Sequence, residues 1–251
     1  MQIQLIRHAT VVIEFNGQKL LLDPMLSEVG AMPAVPEVSN TANNPVVGLP
    51  VDITELLNAD AILITHTHRD HFDEVAMSVL PRTTPVFCQP ADVEKIAAAG
   101  FTQVQAVEPA VAWQGINIFR TDGQHGTGKI GQKMGPVSGF VLEAPGELSL
   151  YITGDTVWCD AVAAALSQYR PQVIICFAGA AQFSVGDPIT MTKEEIKKMC
   201  QSAPAAKVIV VHLEAWNHCS LSRQVLQDYI IREKLQTQVY IPDDGEKMEY
   251  R

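Results

Sequence analysis

Ala61-Ile62-Leu63-Ile64-Thr65 runs directly into His66-Thr67-His68-Arg69-Asp70-His71. The first stretch carries no charge and reads as a buried strand, and the second places imidazole and carboxylate groups on the loop that leaves it. Residues i and i+2 of an extended segment point the same way, so His66 and His68 can grip one ion. Asp70 and His71 lie past the turn and can reach a second. Imidazole and carboxylate suit zinc, manganese or iron, and an ion that keeps an open position can activate water. A closed structural zinc site usually takes thiolates, and no Cys-x-x-Cys pair occurs to supply them. The weaker alternative is a polar helix cap that happens to be rich in histidine.

Composition sets the frame for this segment. A chain of 251 residues, 47% of them hydrophobic, can build a substantial core, and one domain spanning 1–251 is the expectation. The formal net charge of -10 repels polyphosphate surfaces. Lys193, Lys197 and Lys198 do not relieve it, because Glu194 and Glu195 sit among them on what reads as a solvated helix face. Nucleic acid and anionic membrane are therefore not expected partners. Met1–Arg7 enters an alternating strand without a basic and then apolar leader, and no apolar stretch reaches membrane-spanning length. Cys88, Cys159, Cys176, Cys200 and Cys219 form an odd set without framework spacing. A soluble cytoplasmic protein with reduced thiols is expected, in which Cys219, beside His218, is the one candidate for reactivity.

Hydrophobic periodicity predicts strands over 2–6, 10–15, 18–23, 61–65, 85–88, 104–107, 116–120, 138–143, 148–153, 172–177, 207–211 and 238–241. Asn16-Gly17 is a hairpin signal between the second and third. Helices are predicted over 73–80, 91–99, 160–168, 192–201 and 221–234, the last behind a Ser220 cap. So many strands with helices interspersed predict two packed sheets covered on the outside. Pro24–Asp52 stands apart, with five prolines and neither Lys nor Arg. A segment that long is either a lid or a meandering surface connection.

Further ligand candidates recur at the C-terminal ends of apolar runs. Asp155 follows Leu148–Thr153 through Gly154, His212 follows Lys207–Val211, and His125 follows the strand ending at Arg120. Strand ends along one sheet edge converge in space. Taken singly, each has a plainer reading: a turn residue for Asp155, a hydrogen-bonded histidine at the core edge for His212, a loop residue for His125. Their joint occurrence behind a His-x-His-x-Asp-His segment favours the site.

In this order the chain resembles the metallo-β-lactamase superfamily: His66, His68, Asp70 and His71, then His125, then Thr153-Gly154-Asp155-Thr156, then His212. His8-Ala-Thr10, Leu22-Asp23-Pro24 and Gly135-Pro-Val-Ser-Gly-Phe140 are similar to the branch containing ascorbate-phosphate lactonases and N-acyl-phosphatidylethanolamine phospholipases D. Arg7 departs from that branch, which often has glycine there. The resemblance implies an α+β fold, a four-layer αββα sandwich with a two-metal site along one edge. It further implies that His66, His68 and His125 hold the first metal, that Asp70, His71 and His212 hold the second, and that Asp155 bridges them.

Such a site would use a hydroxide activated by two divalent metal ions, zinc first and manganese or iron as alternatives, on a small-molecule substrate. No Gly-x-Ser-x-Gly elbow is present to supply a serine nucleophile. Asp70 and His218 are the candidate catalytic side chains. A proton for the leaving group could come from metal-bound water or from His218, whose plainer reading is a cap or surface histidine. His8 and Asp23 either support the ligands from behind or make structural hydrogen bonds. The favoured function is hydrolysis of a small ester, lactone or phosphodiester. The alternative is a non-hydrolytic metal-binding or redox di-iron member of the fold, against which the absence of Fe–S cysteine spacing weighs.

Overall fold

The computed structural model describes all 251 residues. Its first half forms a mixed sheet from β1 (Gln2–Arg7), β2 (Thr10–Phe15), β3 (Gln18–Leu22), β4 (Ala61–Ile64), β5 (Val86–Cys88) and β6 (Val104–Ala106). The second sheet holds β7 (Ala110–Trp113), β8 (Ile116–Asp122), β9 (Ser138–Glu143), β10 (Leu150–Ile152), β11 (Val173–Phe177), β12 (Lys207–Val211) and β13 (Val239–Tyr240). The last strand, β14 (Lys247–Glu249), returns to the first sheet, giving the orders β14-β1-β2-β3-β4-β5-β6 and β13-β12-β11-β10-β9-β8-β7.

Each sheet begins as an antiparallel meander and ends in parallel strands. β1, β2 and β3 alternate in direction, and β3 to β6 run parallel. In the second sheet β7 to β10 alternate, and β10 to β13 run parallel. The β2–β3 turn has positive φ at both Asn16 and Gly17, as a two-residue hairpin with the strand twist requires. Parallel strands are buried on both faces, which is why β4 and β11 are continuous apolar runs.

Facing sides of the two sheets share one core that includes Leu5, Leu22, Leu63, Phe87, Phe140, Ile152, Ile175 and Val211. Outside the first sheet lie α1 (Glu74–Val79) and α2 (Val93–Ala98), through Ala76 and Ile96. Outside the second lie α4 (Asp160–Tyr169), α5 (Lys193–Ser202) and α6 (Arg223–Arg232), through Leu166, Met199 and Leu226. The layers are therefore helix, sheet, sheet, helix, the αββα sandwich. No helix is long and apolar enough to cross a membrane.

Three elements escape the periodicity. Edge strand β7 shows only half-buried and exposed positions, β14 is three residues long, and α3 (Gly128–Met134) contains two glycines and buries nothing. The last long helix is capped by Ser222, which accepts from the Val225 N–H, whereas Ser220 donates to the Ala180 carbonyl.

The 24–52 segment is pinned at both ends. Buried Arg7 donates to the carbonyls of Met25, Ser27 and Val47, satisfying backbone that has no sheet partner.

Candidate metal centre

Topology brings the chemistry to one edge. β1, β3 and β4 run parallel to one another, as do β8, β10 and β12, so His8, Asp23, His66, His125, Asp155 and His212 all follow C-terminal strand ends. Gly154 makes the Asp155 turn possible. It adopts φ +65, and a Cβ there would lie 2.4 Å from the Ser138 carbonyl oxygen.

The ligand atoms fall into three overlapping groups: His66, His68 and His125; His66, His71 and Asp155; and His8, Asp70, His71 and His212. His66 Nε2 and His68 Nδ1 are 3.0 Å apart, close to the roughly 3.3 Å between neighbouring nitrogens around a tetrahedral ion. Asp155 Oδ2 lies 3.2 Å from His71 Nε2 and 3.6 Å from His125 Nε2, while its Oδ1 lies 3.3 Å from His212 Nε2. Asp70 Oδ2 is 3.5 Å from His212 Nε2 and 3.7 Å from His71 Nε2. His71 Nε2, His212 Nε2 and Asp155 Oδ1 are buried without a hydrogen-bond partner. They meet one another and Asp70 only as poorly directed ion pairs at 3.2–3.7 Å, and a cation among them would give each a well-directed partner.

Partners behind the imidazoles fix which nitrogen faces inward. His71 Nδ1 pairs with Asp23 Oδ2 at 2.8 Å, and Asp23 is itself held by the Thr65 N–H and hydroxyl. His125 Nδ1 donates to the Ile189 carbonyl at 2.9 Å, His66 Nδ1 meets the Thr65 hydroxyl at 3.1 Å, and His212 Nδ1 meets the Cys219 thiol at 3.8 Å. Each leaves Nε2 for an ion, the usual division of labour around a metal-binding histidine. His8 Nε2 lies 3.3 Å from Asp70 Oδ2, placing His8 as a donor to that carboxylate.

Charges in the cluster are strongly coupled. Burial opposes charge on His71, but Asp155 and Asp70 outweigh it and hold the imidazolium up to about 10. Burial also opposes charge on His212, and Asp155 again prevails, raising it well above the ordinary histidine range. Asp70 and Asp155, despite burial, are held well below the carboxylate range, chiefly by His71 and His212. Burial pushes His125 down to about 4 and His8 to about 3. Two ionised carboxylates facing protonated imidazoles form an arrangement in which divalent cations can displace protons.

Above the cluster lies a cleft of about 320 Å³, lined by His68, Asp70, His125 and Asp155 at the cluster, by Arg69 and Lys95, and by an apolar wall that includes Val35, Phe183, Ile189 and Trp216. His218 also lines it, half-buried, with a buried Nδ1 lacking a partner, and the cap of α6 is Ser222 rather than this histidine. Burial pushes the Cys219 thiol up, which argues against a reactive thiolate there. All seven expected ligands thus meet in space. Periodicity did not single out Trp216 or Asn217 because their pattern is that of an ordinary loop.

A family described as a beta-lactamase superfamily domain matches residues 18–213. UPF0173 protein YddR of Bacillus subtilis strain 168 is 38% identical over 250 residues, covering 98% of each chain. An isothiocyanate hydrolase from Delia radicum gut bacteria superposes with a TM-score of 0.95 at 33% identity, covering 100% of this chain and 99% of that one. A possible metal-dependent hydrolase from Veillonella parvula gives the same TM-score of 0.95 at 34% identity, covering 99% and 98%. With the fold, the convergent ligand cluster and these relatives in agreement, the chain belongs to the beta-lactamase superfamily and is a metal-dependent hydrolase.

Proposed function

We propose that residues 1–251 act as one cytoplasmic domain that hydrolyses a small electrophile at a dinuclear centre. In this reading His66, His68 and His125 hold one divalent ion, Asp70, His71 and His212 hold the other, and Asp155 spans both. The carrying observation is the set of buried, unpartnered ligand atoms beneath the cleft. Zinc fits these donors first, with manganese or iron as alternatives. Ions held there would lower the pKa of a shared water and polarise the bond under attack.

The chain's own residues supply orientation and protons. Asp70, kept ionised by His71, His212 and His8, is an acceptor that orients rather than a base that takes a proton. His218 faces the cleft, and burial lowers its pKa, so its imidazole rests neutral and can take a proton from the attacking water and pass it on.

The apolar wall supports a small uncharged substrate, and an isothiocyanate, named for the Delia radicum gut-bacterial relative, is the first candidate. Water would add its oxygen to carbon and one proton to nitrogen. Breaking the C–N bond then leaves carbonyl sulfide and an amine, with the remaining proton carried to nitrogen by His218. A second reading is a small ester, lactone or phosphodiester. Arg69 and Lys95 at the cleft and the resemblance to lactonases and phospholipases D favour it.

Assays of zinc-loaded protein with an alkyl isothiocyanate, a homoserine lactone, bis-nitrophenyl phosphate and a cephalosporin test the proposal. Turnover of the isothiocyanate above the others is expected. Inactivity on all four with the metals bound would overturn both substrate readings.

A further inference from the structure

Asn217 lies between Trp216 and His218, which line the cleft, yet its own side chain reaches into the 24–52 segment. Its Oδ1 accepts from the Val35 N–H at 3.0 Å and from Asn44 Nδ2 at 2.8 Å. Its Nδ2 donates to the carbonyls of Val35 at 3.1 Å and Asn40 at 2.7 Å. Asn44 completes the pair by accepting the Asn217 backbone N–H at 2.8 Å. Both residues are buried, and the Asn217 amide uses both acceptor sites and both donors. A buried polar network satisfied to this degree is rigid, and removing one member leaves the others unpaired.

The segment it holds borders two spaces. Val35 lines the 320 Å³ cleft, while Val38 and Asn40 line an adjoining cavity of about 500 Å³. Phe183 and His218 border both. We propose that Asn217 and Asn44 are specificity-determining residues whose mutual amide bonds fix Val35–Asn40 as a static partition, confining substrates to the smaller space. This inference deepens the hydrolase reading and rests on it. It also assigns the long proline-rich segment as wall rather than lid.

Zinc-loaded full-length Asn217→Ala and Asn44→Ala test the partition by hydrogen exchange and by kinetics on methyl and 2-phenylethyl isothiocyanate. Asn44→Ala leaves the bonds of Asn217 to Val35 and Asn40 in place, so it is the milder variant if Asn217→Ala folds poorly. The amides of Met32, Val35 and Asn44 should exchange about tenfold faster or more in the alanine variants, with metal content unchanged. Preference for the methyl over the phenylethyl substrate should fall about tenfold in Asn217→Ala, through KM rather than kcat, and by less in Asn44→Ala. Unchanged exchange, or faster exchange with unchanged size preference, would overturn the partition. A wild-type protein that turns over neither substrate would overturn the isothiocyanate reading, and the exchange data would still decide whether the amide pair holds the segment.

Discussion

His212 donates its backbone N–H to the carbonyl of His8 at 2.9 Å, and their imidazole rings lie with centroids 3.7 Å apart. That bond ties the end of β1 in one sheet to the end of β12 in the other, so backbone as well as side chains joins the two halves of the site. Both residues have positive φ, 58 and 66. Such conformations cost about 1–3 kcal/mol in a non-glycine residue and persist only where the surroundings fix them.

His8 should therefore be tested with a residue that tolerates its backbone. Asparagine accepts the left-handed region but is too short to replace the imidazole against Asp70. His8→Asn is expected to fold and to lose metal affinity by about ten- to a hundredfold, the usual effect of removing a partner of a ligating carboxylate. Chelator competition measures this. Unchanged affinity would show that His8 does not support Asp70.

Metal content gives a second expectation. Seven ligands exceed the capacity of one tetrahedral ion, so purified protein should carry close to two equivalents of transition metal. His68→Ala should lower that content and abolish turnover while circular dichroism stays native. The core has its own driving force, with each fully buried Leu, Ile or Phe worth about 1.5–3 kcal/mol. Global unfolding of the variant would mean that the centre is structural.

How much of this was legible depended on sequence distance. His66, His68, Asp70 and His71 crowd one loop, so extended geometry alone suggested what they do. His125, Asp155 and His212 were recoverable because each ends an apolar run, and parallel strands carry such ends to one edge. Asn217 was not recoverable, because its partners Val35 and Asn44 lie 182 and 173 residues away and its amide is an ordinary loop residue locally. Helix α3 was hidden for another reason: Gly128 and Gly131 lower its propensity, and no apolar stripe marks a buried face.

Protonation of the cluster predicts how metal binding depends on pH. His71 is held up to about 10 and His212 well above the histidine range, so both carry protons in metal-free protein at pH 8. An ion needs the neutral imidazoles, and its binding must displace those protons. Apparent affinity should therefore rise with pH until it approaches about 10 and weaken as pH falls. Calorimetry in buffers of different ionisation enthalpy should find proton release on zinc binding at pH 8. Binding without release would show that the imidazoles are already neutral.

His218 offers the sharpest test of mechanism, because its position allows two roles with different signatures. Its Nδ1 is buried and unpartnered beside the cleft, and its ring lies 6.1 Å from that of Trp216 and 6.2 Å from that of Phe183. If it delivers the proton to a departing amine, His218→Gln should lower kcat by about a hundredfold or more, within the range of general acid catalysis. The loss should shrink for substrates whose leaving amine is electron-poor, since a weaker base needs less protonation as the bond breaks. If His218 only packs against Trp216 and Phe183, the loss should be the same for every leaving group and fall on KM. A series of ring-substituted aryl isothiocyanates or esters, assayed on both proteins at matched metal content, separates the two. A slope of log kcat against leaving-group pKa that steepens in the variant supports proton delivery, and parallel slopes would remove His218 from the mechanism.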